Sequence, residues 1–547
     1  MATVPQTDTA DEPEPHRGSH SGSRRGSRNG SERGSHTGRR RQAHWHAPLV
    51  GVVGRPWKRA RKRSSGANGA DDADQQPAVR QPQPPSTEPC GLLGLIRRIG
   101  IHDRLERAAK YFPARLAVIV FAGIIAVVTG LLSLPIATTS GHRASFLDAL
   151  FTATSAVCVT GLTIVDTATY WSTFGHVVII LAAAVGGLGI MTLASLLSLA
   201  VSRYVGLTQR MLAASENKSR LGDVGKLLRA VIYTAAGCEL VLTLMLLPRF
   251  LNHGLDLGHA LWYAAFMGLS IFNNAGFVIM PQGGLEAYAT DWWIGLPIIL
   301  GSFVGAVGFP VILDIVGHRR RPRTWSLHTK LTLTTYMALS VVSAVAIAAF
   351  EWTNPLTYGA LPTSGKILTA LINGVNARSS GLSTIPSEHM HEATWFLQDA
   401  LMFVGGGSAS TAGGIKVTTF AVLILAIFAE ARGDQDIEAF GRRITPSTVR
   451  LSVAVAFIGA SIVGIATLLL LQLTDLPLDR ILFEVVSAFA TVGLSTGITP
   501  TLPASAKYVI VALMFVGRVG TMTAASALAL RERRRVIRMP EASPMIG

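Results

Sequence analysis

Cysteine is nearly missing from this sequence: Cys90, Cys158 and Cys238 are the three in 547 residues, and no two have the spacing of a paired motif. So sparse and odd a set excludes a disulfide framework and a cysteine-built zinc site. Charge is scarce as well. Asp, Glu, Lys and Arg together make 15% of the chain, against 49% hydrophobic residues, where a soluble domain carries about 25% charged residues. With a mean hydropathy of +0.39, the class that remains is a membrane protein with several spans. No G-x-x-x-x-G-K-[ST] loop is present, so ATP hydrolysis by this chain has no site. No His-x-x-Glu-His run or pair of aspartates falls inside an apolar segment, which argues against an enzyme embedded in the bilayer.

Acidic residues are the minority partner, 33 against 49 basic ones, giving a formal charge of +16. In a soluble chain that excess would suggest nucleic acid. Here it lies in the first 110 residues and between apolar runs, where it sets orientation in a membrane, and no nucleic-acid partner is expected. Residues 1–110, with "HRGSHSGSRRGSRNGSERGSHTGRRRQ", lack apolar periodicity and any signal-peptide core; they read as a disordered basic tail. The His44–His46 pair has no further ligands at usable spacing, so metal binding there is discarded.

Beyond the tail, eight apolar runs lie near 114–135, 172–200, 227–248, 292–316, 331–350, 394–430, 451–472 and 506–530. Each matches a hydrocarbon core of roughly 30 Å. A Lys/Arg-rich stretch precedes the first run and follows every second one, which puts both termini and those loops in the cytoplasm. The four outer connections each hold a short apolar stretch and then a glycine: "FLDALFTATSAVCVTGLT", "LGHALWYAAFMGLSIFNNAGFV", "GKILTALINGVNARSSGLST" and "LDRILFEVVSAFATVGLST". The glycines are Gly161, Gly276, Gly381 and Gly493, separated by 115, 105 and 112 residues. That spacing is an internal repeat.

A helix of roughly 12 to 15 residues reaches about 20 Å, part-way through the bilayer, and must return. The returning backbone is not helical and is tolerated only inside protein or along a water-filled path. Four such loops around one axis expose rings of carbonyls suited to a monovalent cation, with glycine supplying the conformational freedom. The fold class is therefore an all-α polytopic membrane protein of four helix–pore loop–helix units around a pseudo-fourfold central pore. The units divide as 111–205, 206–320, 321–435 and 436–530, with a cytoplasmic C-terminal tail at 531–547. Asp166, Glu286, Asp291, Glu388 and Glu392 follow the glycine stretches and form, as a group, a cation-attracting vestibule. An inverted-repeat secondary transporter is the rival, but its repeats would have opposite topology, whereas these share one orientation.

The motifs "VTGL" at 159–162, "NNAGF" at 273–277, "SSGLST" at 379–384, "TVGLSTG" at 491–497 and "FVGGGSASTAGGIKV" at 403–417, in that order, resemble the Trk/Ktr/HKT superfamily of potassium transporters. The likeness, over residues 110–530, is greatest to the ion-translocating membrane subunit of bacterial Trk and Ktr systems. It implies a potassium filter at Val159, Thr160 and Gly161; Asn274, Ala275 and Gly276; Ser379, Ser380 and Gly381; and Thr491, Val492 and Gly493. It implies that the break in the sixth span at 405–414, with Gly405, Gly406, Gly407, Ser408, Gly413, Gly414 and the following Lys416, is an intramembrane gating loop. The glycines alone predict a broken helix there. Arg518 is a charge inside the last span and functional by default; the resemblance makes it an electrostatic barrier below the filter. It also implies a homodimer in the cytoplasmic membrane on a cytosolic, nucleotide-binding regulatory subunit of the TrkA/KtrA kind. Potassium is then the transported ion, no cofactor sits in this chain, and nucleotide is held by the partner alone. A sodium or other monovalent cation transporter of the same fold is the alternative; Gly161 in the first repeat favours potassium. Cys158 reads as a small packing residue, "VGGLGIMT" at 185–192 as helix packing, Glu239 as a structural hydrogen-bonding group, and Arg378 and Glu484 as braces for filters three and four.

Overall fold

Long, mostly apolar runs leave the backbone one way to satisfy its own polar groups in a bilayer, the helix, and helices make almost the whole structure. It is a computed structural model and describes residues 113–204, 224–280, 284–520 and 540. The basic tail expected at 1–110 lies outside the described residues, as does the C-terminal tail at 531–547 except residue 540. The first unit runs α1 (Pro113–Leu132), α2 (Phe146–Val157) and α3 (Thr173–Tyr204). The second runs α4 (Val224–Asn252), α5 (Leu257–Asn273), then α6 (Trp292–Val307) and α7 (Phe309–Gly317). The third has α8 (Leu327–Glu351), α9 (Thr363–Asn376), α10 (Glu392–Phe403) and α11 (Val417–Arg432). A small antiparallel hairpin, β1 (Glu438–Ala439) with β2 (Arg442–Arg443), leads to the fourth: α12 (Pro446–Leu473), α13 (Leu478–Ala490), α14 (Ala504–Phe515) and a π-helical turn at Val516–Gly520.

Among the described residues, three helices are long and apolar enough to cross a membrane unaided: Leu228–Asn252, Leu327–Glu351 and Pro446–Leu473. The expected fourth span is not one helix. It bends by 95° between α6 and α7, at Gly308 with φ +99°, and would be a fourth crossing if the pair is taken as one. The reason is local: Gly308 takes a backbone that other residues avoid, and Pro310 lacks an N–H for the helix. The sixth run breaks as expected, between Phe403 and Val417. The outside of the bundle is apolar: Ile119, Phe457 and Leu468 are 68%, 73% and 69% exposed, a surface that suits lipid and not water.

The short helices α2, α5, α9 and α13 have 12, 17, 14 and 13 residues. Glycines let the long helices approach their ends. A Cβ on Gly186, in α3, would overlap the Val157 carbonyl; one on Gly305, in α6, the Phe272 carbonyl; one on Gly517, in the π turn, the Phe489 carbonyl. Each of those carbonyls lies four residues before a repeat glycine. Gly187 sits equally close to the Asn273 side chain, so the "VGGLGIMT" stretch is helix packing.

Candidate functional site

Each short helix carries, in its last turn, a polar residue that folds the following chain back. The Ser155 carbonyl accepts from the Thr160 N–H at 2.8 Å, and its hydroxyl from the Gly161 N–H at 3.1 Å. Ser487 repeats both bonds with Val492 at 2.9 Å and Gly493 at 3.1 Å. The Ser270 carbonyl accepts from Ala275 at 2.8 Å, and its hydroxyl donates to the Phe277 carbonyl at 2.7 Å. In the third unit Asn376 serves: its carbonyl accepts from Ser379 at 3.1 Å, and its amide donates to the Leu382 carbonyl at 2.7 Å. The anchor stands six residues before the glycine in units one, two and four but five before Gly381. Units one, two and four spend the extra residue on a left-handed turn, at Val159, Asn274 and Thr491 (φ 57°, 56° and 51°); the shorter third unit has none at Ser379.

The four glycines then meet. All have left-handed backbone, with φ of 88°, 73°, 62° and 96° at Gly161, Gly276, Gly381 and Gly493. A Cβ on Gly161 would lie 2.7 Å from the Ala275 oxygen and 2.8 Å from the Gly276 Cα. One on Gly276 would lie 2.8 Å from the Ser380 oxygen; one on Gly381 would overlap the Val492 oxygen; one on Gly493 would overlap the Thr160 oxygen. Every glycine therefore faces the carbonyl that precedes the glycine of another unit, and the series closes into a ring. Thr160, Ala275, Ser380 and Val492 supply those carbonyls. Of the remaining expected positions, Val159, Asn274 and Thr491 turn the chain, and Ser379 is buried with its hydroxyl unpartnered among the described residues.

The broken segment between α10 and α11 packs against the ends of the short helices. Its mouth is closed by a parallel bridge of Val404 with Ile415. The Gly407 N–H donates to the Ala306 carbonyl at 2.8 Å, Thr411 to Gly305 at 3.2 Å, and Phe309 back to Ala409 at 3.2 Å. The break in the fourth span and the loop in the sixth thus satisfy each other's backbone. A Cβ on Gly405 would overlap the Gly413 carbonyl, and one on Gly406 would come 2.6 Å from the Ala306 oxygen. The Asn274 amide donates to the Thr411 hydroxyl at 2.6 Å. Gly413 presses on Thr491 and the Ala490 carbonyl, and Gly414, at φ +65°, on the Ala490 side chain. Ser408 bonds Thr418 at 3.3 Å. Lys416 donates to the Ala412 carbonyl at 2.7 Å, and Arg518, 1% exposed, to the Thr411 carbonyl. Both cations hold the loop through its carbonyls.

Other polar groups brace the ring. Glu484, fully buried, accepts from the Ser495 hydroxyl at 2.5 Å, the Thr496 N–H at 3.0 Å and the Thr499 hydroxyl at 2.8 Å. Arg378 donates to Ser340 and lies 4.4 Å over the Tyr336 ring, tying the turn after α9 to α8. Glu239 accepts from the Asn273 amide at 2.7 Å. Cys158 is fully buried. Of the five acids expected to line a vestibule, two are engaged locally. Asp291 pairs with Arg249 at 2.5 Å, and Asp166 caps a one-turn helix through Ala168 and Thr169, so both serve local structure. Glu388 abuts Gly497, four residues past Gly493. Glu286 has its carboxyl pushed above the usual range by partial desolvation and then by the charge of Glu388, with His389 opposing. Reading the sequence missed the anchors Ser155, Ser270, Asn376 and Ser487, although a small polar residue at a nearly fixed offset before each glycine was visible. It also missed Thr411, whose role depends on a contact across 137 residues.

Residues 110–534 match the family described as TrkH, cation transport protein. The chain is 36% identical over 447 residues to Ktr system potassium uptake protein B of Bacillus subtilis (strain 168), covering 81% of this chain and 99% of that protein. It is 33% identical over 451 residues to the Ktr system potassium uptake protein B of Vibrio alginolyticus, covering 82% and 98%. Among solved structures it is similar to the potassium transporter TrkH from Vibrio parahaemolyticus, with a TM-score of 0.59, 16% identity, and 75% and 83% of the two chains covered.

Proposed function

The chain belongs to the TrkH family of cation transport proteins, a multi-pass membrane family of transporters and not of enzymes, and on that premise we propose that it takes up potassium ions across the cytoplasmic membrane through the ring described above. The observation that carries the reading is the closed series of carbonyls before Gly161, Gly276, Gly381 and Gly493. Carbonyl oxygens around one axis replace the hydration shell of a monovalent cation. The short helices point their carbonyl ends at the same region, which favours positive charge there. The filter comprises Val159, Thr160 and Gly161; Asn274, Ala275 and Gly276; Ser379, Ser380 and Gly381; and Thr491, Val492 and Gly493.

The segment 405–414 is the gate. It lies against Asn274 and Thr491, and Lys416 and Arg518 hold it in the obstructing arrangement. A cytosolic nucleotide-binding regulatory subunit releases it, the protein works as a homodimer, and both termini are cytoplasmic. The loops "GHRRRPR" and "GDQDIEAFGRR" dock that subunit. The two Ktr relatives are named as potassium uptake proteins, which supports the choice of ion.

The test is potassium-limited growth and rubidium uptake in a bacterial host lacking its own potassium uptake systems, with a regulatory subunit supplied. Rescue by the intact chain that fails in an equally expressed Gly381→Asp variant is the expected result. Rescue by both would remove the filter assignment, and rescue by neither would remove the potassium assignment.

A further inference from the structure

Between α10 and α13 lies a cavity of about 370 Å³ that neither the ring nor the gate uses. Its apolar wall is Trp395, Phe396, Leu478 and Leu482. Its polar groups are three carboxylates, Glu392, Asp399 and Asp479. Asp399 is the unusual one. It is 8% exposed, and its Oδ1 has no hydrogen-bond partner among the described residues. A buried carboxylate oxygen left bare is costly, and elsewhere the structure avoids that cost: the buried carboxylates of Glu351 and Glu484 are each held by at least three donors. The neighbouring cation does not fill the gap, since the Arg480 guanidinium lies over the Trp395 ring, 5.6 Å from its centre.

The missing partner is a cation, and the walls decide which kind. A bare metal ion needs several oxygens at short range. Among the described residues no group of three or more His, Cys, Asp or Glu is arranged to hold a metal, and the rest of the lining is carbon. An aromatic and aliphatic wall with carboxylates at one side suits an ammonium group carried on an apolar body. The volume lies in the range of small-molecule sites. We propose that this cavity binds an organic ammonium ion, its nitrogen between Asp399 and Asp479 and its body against Trp395, Phe396, Leu478 and Leu482. Because α13 ends in the fourth filter stretch, the occupant bears on the pore from the side and does not enter it.

The test is calorimetric titration of the purified full chain in detergent with benzylammonium chloride, whose N–H groups can donate to Asp399, at constant ionic strength. Saturable binding of one ion per chain is expected, unaffected by exchanging sodium for potassium. Asp399→Asn and Asp479→Asn should each weaken it about tenfold, and Leu482→Trp, which narrows the cavity, should also weaken it. Rubidium uptake without the ligand should persist in both Asn variants. Absence of saturable binding, displacement by potassium, or wild-type affinity in the Asn variants would overturn the proposal. Asp479 is part-exposed, so its variant carries the test alone if Asp399→Asn does not fold.

Discussion

Gly493→Ala should stop cation flux without unfolding the protein. The added methyl meets two obstacles. Gly493 has φ +96°, a backbone that costs an ordinary residue about 1–2 kcal/mol. The new Cβ would also overlap the Thr160 carbonyl and lie 3.1 Å from the carbon that bears it. That carbonyl belongs to another unit's filter stretch, so the clash can be relieved only by moving the ring itself. A further cost of about 1–3 kcal/mol is usual for overpacking. Together these reach about 3 kcal/mol, or roughly a hundredfold in rate if the conducting arrangement bears it all. Rubidium uptake into proteoliposomes, with the amount of folded protein checked by size-exclusion chromatography, measures it. Gly237→Ala and Gly464→Ala are the controls. Both lie in helices with open space where the methyl would go, and both should keep full uptake and gain up to about 1 kcal/mol of stability. Wild-type uptake by Gly493→Ala would refute the ring as the conducting element. Equal losses in all three variants would trace the effect to folding instead.

Three other outcomes follow from the contacts around the ring. Glu484→Ala strands Ser495, Thr496 and Thr499 and should cost about 3 kcal/mol or more, at about 1–3 per unsatisfied group; Glu484→Gln, which keeps one acceptor oxygen, should lose clearly less, as read from thermal unfolding in detergent. Thr411→Val keeps the shape of the gate but removes its bond to Asn274, so rubidium uptake in the absence of a regulator should rise about tenfold, equivalent to ~1.4 kcal/mol, and unchanged leak would separate that bond from gating. Because the Glu286 carboxyl is raised, it takes up its proton at a higher pH than an ordinary glutamate. Its contribution to stability is fully present below the unfolded value and is lost as pH rises through the folded one. The same protonation removes a negative charge near Glu388, so the KM for rubidium should rise as pH falls toward the carboxylate range, and Glu286→Gln should flatten that dependence.

What was legible in the sequence was what repeats. Four glycines at near-constant spacing, each after a short apolar helix, sufficed for the pseudo-fourfold plan, and three glycines in a row marked the broken sixth span. What was not legible depended on contacts between units. Gly308 looked like one more glycine in an apolar run, and its 95° bend makes sense only with the loop from the sixth span beside it. Asp291 looked like a vestibule acid because Arg249, its partner, stands 42 residues earlier. Asp399 carries no motif, and its surroundings appear only when Asp479 and Leu482 are brought beside it from the next unit.

The third unit is where the symmetry fails, and the failures belong together. Its anchor stands one residue nearer the glycine, so Asn376 spans the distance with an amide and no left-handed residue precedes Gly381. Its second span is interrupted by a long loop between Phe403 and Val417, where units one, two and four set a glycine against a helix-end carbonyl. A helix held in that way cannot leave the pore axis without unpacking a short helix. A loop can, because its bonds to Ala306, Gly305 and Asn274 are few and its glycines add little bulk. The carbonyls of Thr411, Ala412 and Gly413 accept from Arg518 and Lys416, so loop dipoles face both cations in this arrangement. In the gate we propose, displacing the loop would leave both charges facing the path, so opening it would need energy from outside this chain. On that reading the gate rests closed, and rubidium uptake without a regulatory partner should be lower than with one.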